Sequence, residues 1–151
     1  MDEALDGMMT LDRQPDPVFA NDEDLYRRID SNDLEGGRVS LDAVELPDMS
    51  VNRSKYGPPE WARRQDEFRS WGVFAFQVQD IPAELLHLGT ILFTFGPQHV
   101  PLKYNYPHSE IWAFKNGEHI DLRKRSDLDP DLHLRWRQIL VWKCRMVLQP
   151  E

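Results

Sequence analysis

The largely apolar run from Val73 to Val78 sets Val73, Ala75 and Gln77 against Phe74, Phe76 and Val78. A two-residue period of this kind predicts a strand with a buried aromatic face. Ile111 to Phe114, the pair Asn116-Gly117 and Glu118 to Leu122 predict a β-hairpin, because Asn-Gly fills both positive-φ positions of a tight turn. Met49-Ser50-Val51-Asn52 alternates as a short strand after Pro47-Asp48. Leu25-Tyr26-Arg27-Arg28-Ile29 is a short element with apolar residues at both ends, followed by a loop that closes on Gly36-Gly37. Arg38 to Leu46 has a mixed period that leaves strand and helix open. Thr90 to Phe95 is a β-rich run that Gly96-Pro97 is expected to stop.

Helical spacing is expected in three places. Pro58-Pro59 opens a helix to about Trp71, with Trp61, Gln65, Phe68 and Trp71 on one face, and Gly72 ends it. Ile81-Pro82 to Gly89 reads as a short helical turn capped by glycine. The last helix begins at Pro130 with Asp129 as N-cap and Asp131 in its first turn. Trp136, Ile139, Leu140, Cys144 and Val147 form its core face, and it ends near Met146. The sum is an α+β fold: a small mixed or antiparallel sheet with a C-terminal hairpin, packed against two main helices.

Composition refines this picture at the N-terminus. Residues 1–24 carry eight acidic residues against Arg13, leaving 18 of the 26 acidic and 17 of the 18 basic residues for the rest, a net of −7 against −1. Residues 1–21 also lack a sustained apolar period, so they are expected to form a disordered acidic tail, dispensable for folding, in front of one α+β domain over 22–151. The tail is either solvated or a docking segment for a basic partner. The remainder is nearly neutral and gives no strong nucleic-acid signal. The chain has five Trp, seven Phe and four Tyr, so aromatics carry much of the core.

The lone cysteine, Cys144, excludes an intramolecular disulfide and any metal motif built on paired cysteines, and it lies on an apolar helix face as inert packing. The first ten residues have carboxylates where a secretory signal needs a basic and then an apolar region. No window reaches the length of a membrane span. A reducing, cytoplasmic setting is therefore expected, and the Asn52-Arg53-Ser54 sequon is read as accidental.

The residues from His99 to Glu110 hold the densest chemistry. This run contains two histidines, one carboxylate, two tyrosines, a lysine and an asparagine. If a strand begins at His108, a period of two places His108 and Glu110 on one face. Such a pair can act in acid–base catalysis or, with His99, as metal ligands; it can equally be a hydrogen-bonded pair that orders a loop. His99, Tyr104, Asn105, Tyr106 and Ser109 are the accompanying ligand-binding candidates. Arg27 and Arg28 must point to opposite faces of a strand, so one of them can fork onto a phosphate or carboxylate, joined by Arg38. The alternative is solvated arginines paired with Asp30, Asp33 and Glu35. Asp127-Leu128-Asp129-Pro130-Asp131 opens like a calcium loop, but Leu132 and Gln138 stand where glycine and glutamate are needed. Arg123-Lys124-Arg125 reads as a solvated basic loop. His87, His119 and His133 show no partner pattern, and nothing in the sequence specifies a cofactor.

The runs Leu25-Tyr26-Arg27-Arg28-Ile29, Met49-Ser50-Val51-Asn52-Arg53-Ser54 and Asn105-Tyr106-Pro107-His108-Ser109-Glu110-Ile111, followed by Lys115-Asn116-Gly117, make the chain resemble a group of small bacterial proteins without assigned activity. That resemblance implies a bacterial cytoplasmic origin. In arrangement alone the chain is also similar to ADP-ribosyltransferase-like domains, which implies roles for Arg27 or Arg28, Ser50 and Glu110. The function expected is a non-catalytic binding or accessory module, for a protein partner or a nucleotide-like ligand. The alternative is an enzyme acting on a nucleotide or phosphorylated substrate, of the ADP-ribosyltransferase-like or metal-dependent hydrolase type, through His99, His108 and Glu110.

Overall fold

A computed structural model describes residues 7–46, 48–120 and 130–151. The chain is mainly β rather than α+β with two main helices. Its strands are β1 (Asp24–Ile29), β2 (Leu34–Glu35), β3 (Arg38–Val39), β4 (Met49–Arg53), β5 (Gly72–Gln77), β6 (Glu84–His87), β7 (Thr90–His99), β8 (His108–Lys115), β9 (Glu118–Ile120) and β10 (Arg145–Leu148). Eight of them form one curled antiparallel sheet in the order β10-β5-β1-β4-β8-β7-β6, with β9 on β8, while β2 and β3 pair separately. Among the described residues there is one full α-helix, α1 (Pro130–Val141).

The second expected helix, from Pro58 to Trp71, is replaced by two short 3-10 turns, Pro59–Arg63 and Asp66–Phe68. Gln65 between them is extended, with ψ 141°. Trp61, Phe68 and Trp71 are only half-buried, so no continuous apolar stripe reaches the core. Most helical stability comes from burying such a stripe, and short 3-10 pieces serve as connectors without one.

Residues 81–89 are also not helical. Leu85 and Phe93 are partners in the β6–β7 hairpin, and Leu88 and Gly89 make its turn with φ 52° and 80°. The glycine signal was real, since a left-handed residue serves a helix C-terminus and a hairpin alike. β7 runs through Gly96-Pro97 to His99. β6 no longer flanks it there, and proline is tolerated on an edge. α1 stops at Val141, five residues before the expected end, and Met146 enters β10 opposite Phe74. The Asn116-Gly117 hairpin forms as read, with φ 55° and 81°. Met1 to Asp6, Leu122, the basic run Arg123-Lys124-Arg125 and the Asp129 cap lie outside the described residues.

Alternation along the sheet separates two faces. Leu25, Ile29, Met49, Val51, Phe74, Phe76, Phe93, Phe95, Ile111 and Ala113 are buried with Leu132, Trp136 and Leu140 of α1 in one core cluster. Tyr26, Asn52 and His108 are cross-strand partners in a row over β1, β4 and β8. Their neighbours in phase, Arg28 and Ser50, extend that opposite surface. The 59–69 segment and the 102–105 loop rise around it.

Candidate functional site

A cleft of about 610 Å³ lies over that row, its floor made by Tyr26, Arg27, Arg28, Ser50, Asn52 and His108. Trp61, Arg64, Gln65, Asp66 and Arg69 form one wall, and Leu102, Lys103, Tyr104, Asn105 and Met8 the other. Arg28, Arg64, Arg69 and Lys103 thus stand with one carboxylate, Asp66, which pairs with Arg69, in a chain whose net charge is −8, while the Arg27 side chain turns away from the cleft.

Several of these groups are fixed by bonds behind the cleft. Asn52 and Asn105 form a reciprocal amide pair, with Nδ2 to Oδ1 distances of 3.3 and 2.8 Å. The Nδ1 of His108 lies 2.8 Å from the Val100 carbonyl, so Nδ1 carries the proton and the neutral ring keeps its lone pair on Nε2. Arg27 donates to the carbonyls of Ala43 (3.1 Å) and Ser50 (2.9 Å) and pairs with Glu45 at 3.2 Å. It fills the gap where β1 and β4, paired at only two positions, separate. Arg28 instead rests its guanidinium 3.7 Å above the Phe68 ring. Desolvation lowers the pKa of both arginines, the environment in which a bound anion relieves an unfavourable burial of charge.

Of the residues singled out from sequence, the cleft brings together Arg27, Arg28, His108, Tyr104 and Asn105. Glu110 is not in its lining; its carboxylate accepts the Trp112 indole N–H at 2.8 Å. Ser109 is buried with its hydroxyl on the Pro107 carbonyl, 3.3 Å away. Arg38 sits on β3 with its guanidinium 5.4 Å from the centre of the Trp142 ring. His99 uses both ring nitrogens: Nδ1 accepts the Asp16 N–H at 2.8 Å and Nε2 is 2.7 Å from the Tyr106 carbonyl. Among the described residues no group of three or more His, Cys, Asp or Glu is placed to hold a metal ion.

A second polar cluster escaped the sequence reading. Residues 7–21 of the expected tail, followed by Asp22 and Glu23, run along the sheet end as a strap. Tyr106 donates its N–H to Met8 and its hydroxyl to Gln14, at 2.7 and 2.6 Å, and the Thr10 N–H bonds Lys103 at 3.0 Å. Arg53, fully buried, grips Glu23 through Nε and Nη2 at 2.7 and 2.8 Å, and the carbonyls of Asp16 and Val18 at 2.7 and 2.6 Å. The Asp16 carboxylate accepts from Lys55 (2.8 Å), Tyr56 (2.5 Å) and the Val18 N–H (2.9 Å), which hold its pKa far below the usual carboxylate range. One signal pointed here: Arg53 continues the buried phase of Met49 and Val51, so its charge had to be met inside.

Compared with protein-family models, curated proteins and solved structures, the chain matches none. Among the described residues no helix is long and apolar enough to cross a membrane.

Proposed function

We propose that this protein is a non-catalytic binding module whose cleft takes a small, phosphorylated, nucleotide-like molecule. The observation that carries the reading is the charge contrast: Arg28, Arg64, Arg69 and Lys103 line one cavity of an acidic chain, with Asp66 as its carboxylate. Arginine forks suit phosphate oxygens, and a concave basic site concentrates anions. Tyr26, Trp61 and Tyr104 supply flat apolar surface for a ring. The volume falls within the ordinary range of small-molecule sites, roughly 300–1,000 Å³. A binding role is favoured over acid–base chemistry because Glu110 bonds Trp112, while the Nδ1 of His108 meets the Val100 carbonyl and not that carboxylate. The one feature favouring an enzyme for phosphorylated substrates is the lone pair that Val100 fixes on His108 Nε2.

Calorimetric titration with inorganic pyrophosphate and with adenosine monophosphate, at pH 7.5 and low salt, tests the reading. Arg28→Gln and Arg69→Gln are each expected to weaken pyrophosphate about tenfold, the loss of one charge-assisted contact. Binding should weaken further as salt is raised. Absence of binding at millimolar ligand, or binding indifferent to both substitutions, would refute the anion cleft. Turnover of the ligand that His108→Asn abolishes would favour the enzyme instead.

A further inference from the structure

We propose that the N-terminal strap is a pH-gated wall of the cleft, held shut by neutral His99 and released when that imidazole is protonated. This rests on the anion-cleft reading for its consequence, though not for its mechanism. Met8 is the strap's contribution to the cleft lining, and Gly7 packs against Trp61, where an added Cβ would stand 3.0 Å from Cη2 of the ring. The strap is tied to the opposite wall as well. Thr10 bonds Leu102 through its hydroxyl and Lys103 through its N–H, and Met8 accepts from Tyr106. Leu102, Lys103, Tyr104 and Asn105 of that same loop line the cleft.

One bond of the clasp that fixes this arrangement passes through an imidazole, beside those that Arg53, Lys55 and Tyr56 make to Asp16. His99 Nδ1 accepts the backbone N–H of Asp16 while Nε2 donates to Tyr106, so a single neutral tautomer satisfies strap and loop together. Protonating Nδ1 sets two donors against each other across 2.8 Å. The ring is stacked on Tyr56, 5.5 Å between centroids, and meets the edge of Tyr106 at 4.7 Å. The charged groups around it come from every element packed there: Arg53 from β4, Lys55 from the turn after it, Asp16 and Arg13 from the strap, and Glu23 before β1. Burial is the largest influence on His99 and lowers its pKa; the Tyr106 bond comes next and raises it, Arg53 lowers it, and Asp16 and Glu23 raise it less.

The sign follows from that direction. A histidine whose folded pKa lies below its unfolded value of 6.5 contributes stability that is complete above 6.5 and lost as pH falls through the folded value. The Asp16 carboxylate, held far below its usual range, stays ionised throughout this window and does not confuse it.

The decisive variant is His99→Gln, because a glutamine amide can accept from Asp16 and donate to Tyr106 without titrating. Amide hydrogen exchange at Thr10, Asp16 and Tyr106 is compared between wild type and variant at pH 7.5 and at pH 5. Wild type is expected to lose protection at pH 5 while the variant keeps it. Inorganic sulfate, whose charge is constant over this range, then reports on the cleft. The variant should bind it as wild type does at pH 7.5 and about fivefold or more tighter at pH 5, the lower end of ordinary coupling between sites. Any effect of His108 on anion binding cancels in that comparison, since both proteins retain it. Equal protection in the two proteins at pH 5 would overturn the gate, and so would equal sulfate affinity. Sulfate that binds neither protein, with the strap behaving as expected, would overturn the anion cleft and the gate's consequence but leave the strap's titration standing. Whether or not the variant folds, nitrogen NMR of wild-type His99 decides the premise: a ring protonated on Nδ1 at pH 7.5 would sink the proposal.

Discussion

Replacing Arg53 by leucine is expected to cost about 3–5 kcal/mol, because removing one partner of a buried ion pair strands the other. The guanidinium is fully enclosed, and Glu23, whose side chain is 6% exposed, meets it with both carboxylate oxygens. The Arg53 Cζ also lies 3.8 Å from the Phe19 ring centroid, and two strap carbonyls depend on its remaining donors. Leucine fills part of the volume and answers none of those acceptors. The double variant Arg53→Leu/Glu23→Leu should regain a large part of the loss, since an apolar pair need not be compensated by charge. Chemical denaturation of the four proteins in the cycle measures this. A single variant within 1 kcal/mol of wild type would show that Glu23 finds another partner or water.

The strap that Arg53 holds is also where composition misled most. Residues 7–21 have little patterned apolar area of their own, and by that standard they ought to stay solvated. What orders them is a supply of partners elsewhere in the chain: Arg53, His99, Lys103 and Tyr106 offer bonds to backbone groups of the strap, and Tyr56 to the Asp16 carboxylate. Backbone acceptors carry no sequence signature, so a single sequence does not reveal such a segment. Strands fared better. The period of two from Val73 to Gln77 and the Asn116-Gly117 turn are local rules, and they appear in β5, which is buried on both faces, and in the β8–β9 hairpin, whereas Val78 enters a 3-10 turn. The helix expected from Pro58 does not form because Trp61, Phe68 and Trp71, spaced with Gln65 for one face, are each only half-buried at the cleft or its margin. Of the site, Arg27, Arg28, Tyr104, Asn105 and His108 were visible because polar residues crowded a few short runs. Trp61 and Arg69 were not, since their meeting with that row depends on segments packing across the sheet rather than on spacing along the chain.

Substituting alanine for Trp136 in α1 is expected to cost about 3–5 kcal/mol, as for other large aromatic side chains truncated in a core. This helix buries Leu132, Trp136 and Leu140, four residues apart, and leaves Ile139 and Trp142 48% and 72% exposed. Ile139 therefore does not belong to the core face that its spacing implied. Trp136 is 1% exposed; its ring centroid lies 5.0 Å from that of Phe95 in β7, and its indole donates to the Pro82 carbonyl at 3.0 Å. Alanine opens a cavity between helix and sheet and also leaves Pro82 without its donor. Trp136→Phe separates the two effects, keeping much of the volume and losing the bond. Its cost should fall at about 1–3 kcal/mol, the range for an unsatisfied buried acceptor. Trp142→Ala, by contrast, should stay within about 0.5 kcal/mol, because that ring is largely in solvent already. Since a domain of this kind has only about 5–15 kcal/mol in total, the Trp136→Ala loss should appear as a much lower denaturation midpoint. If that midpoint stayed at the wild-type value, α1 would not close the core, and the sheet would have to hold its aromatic face without it.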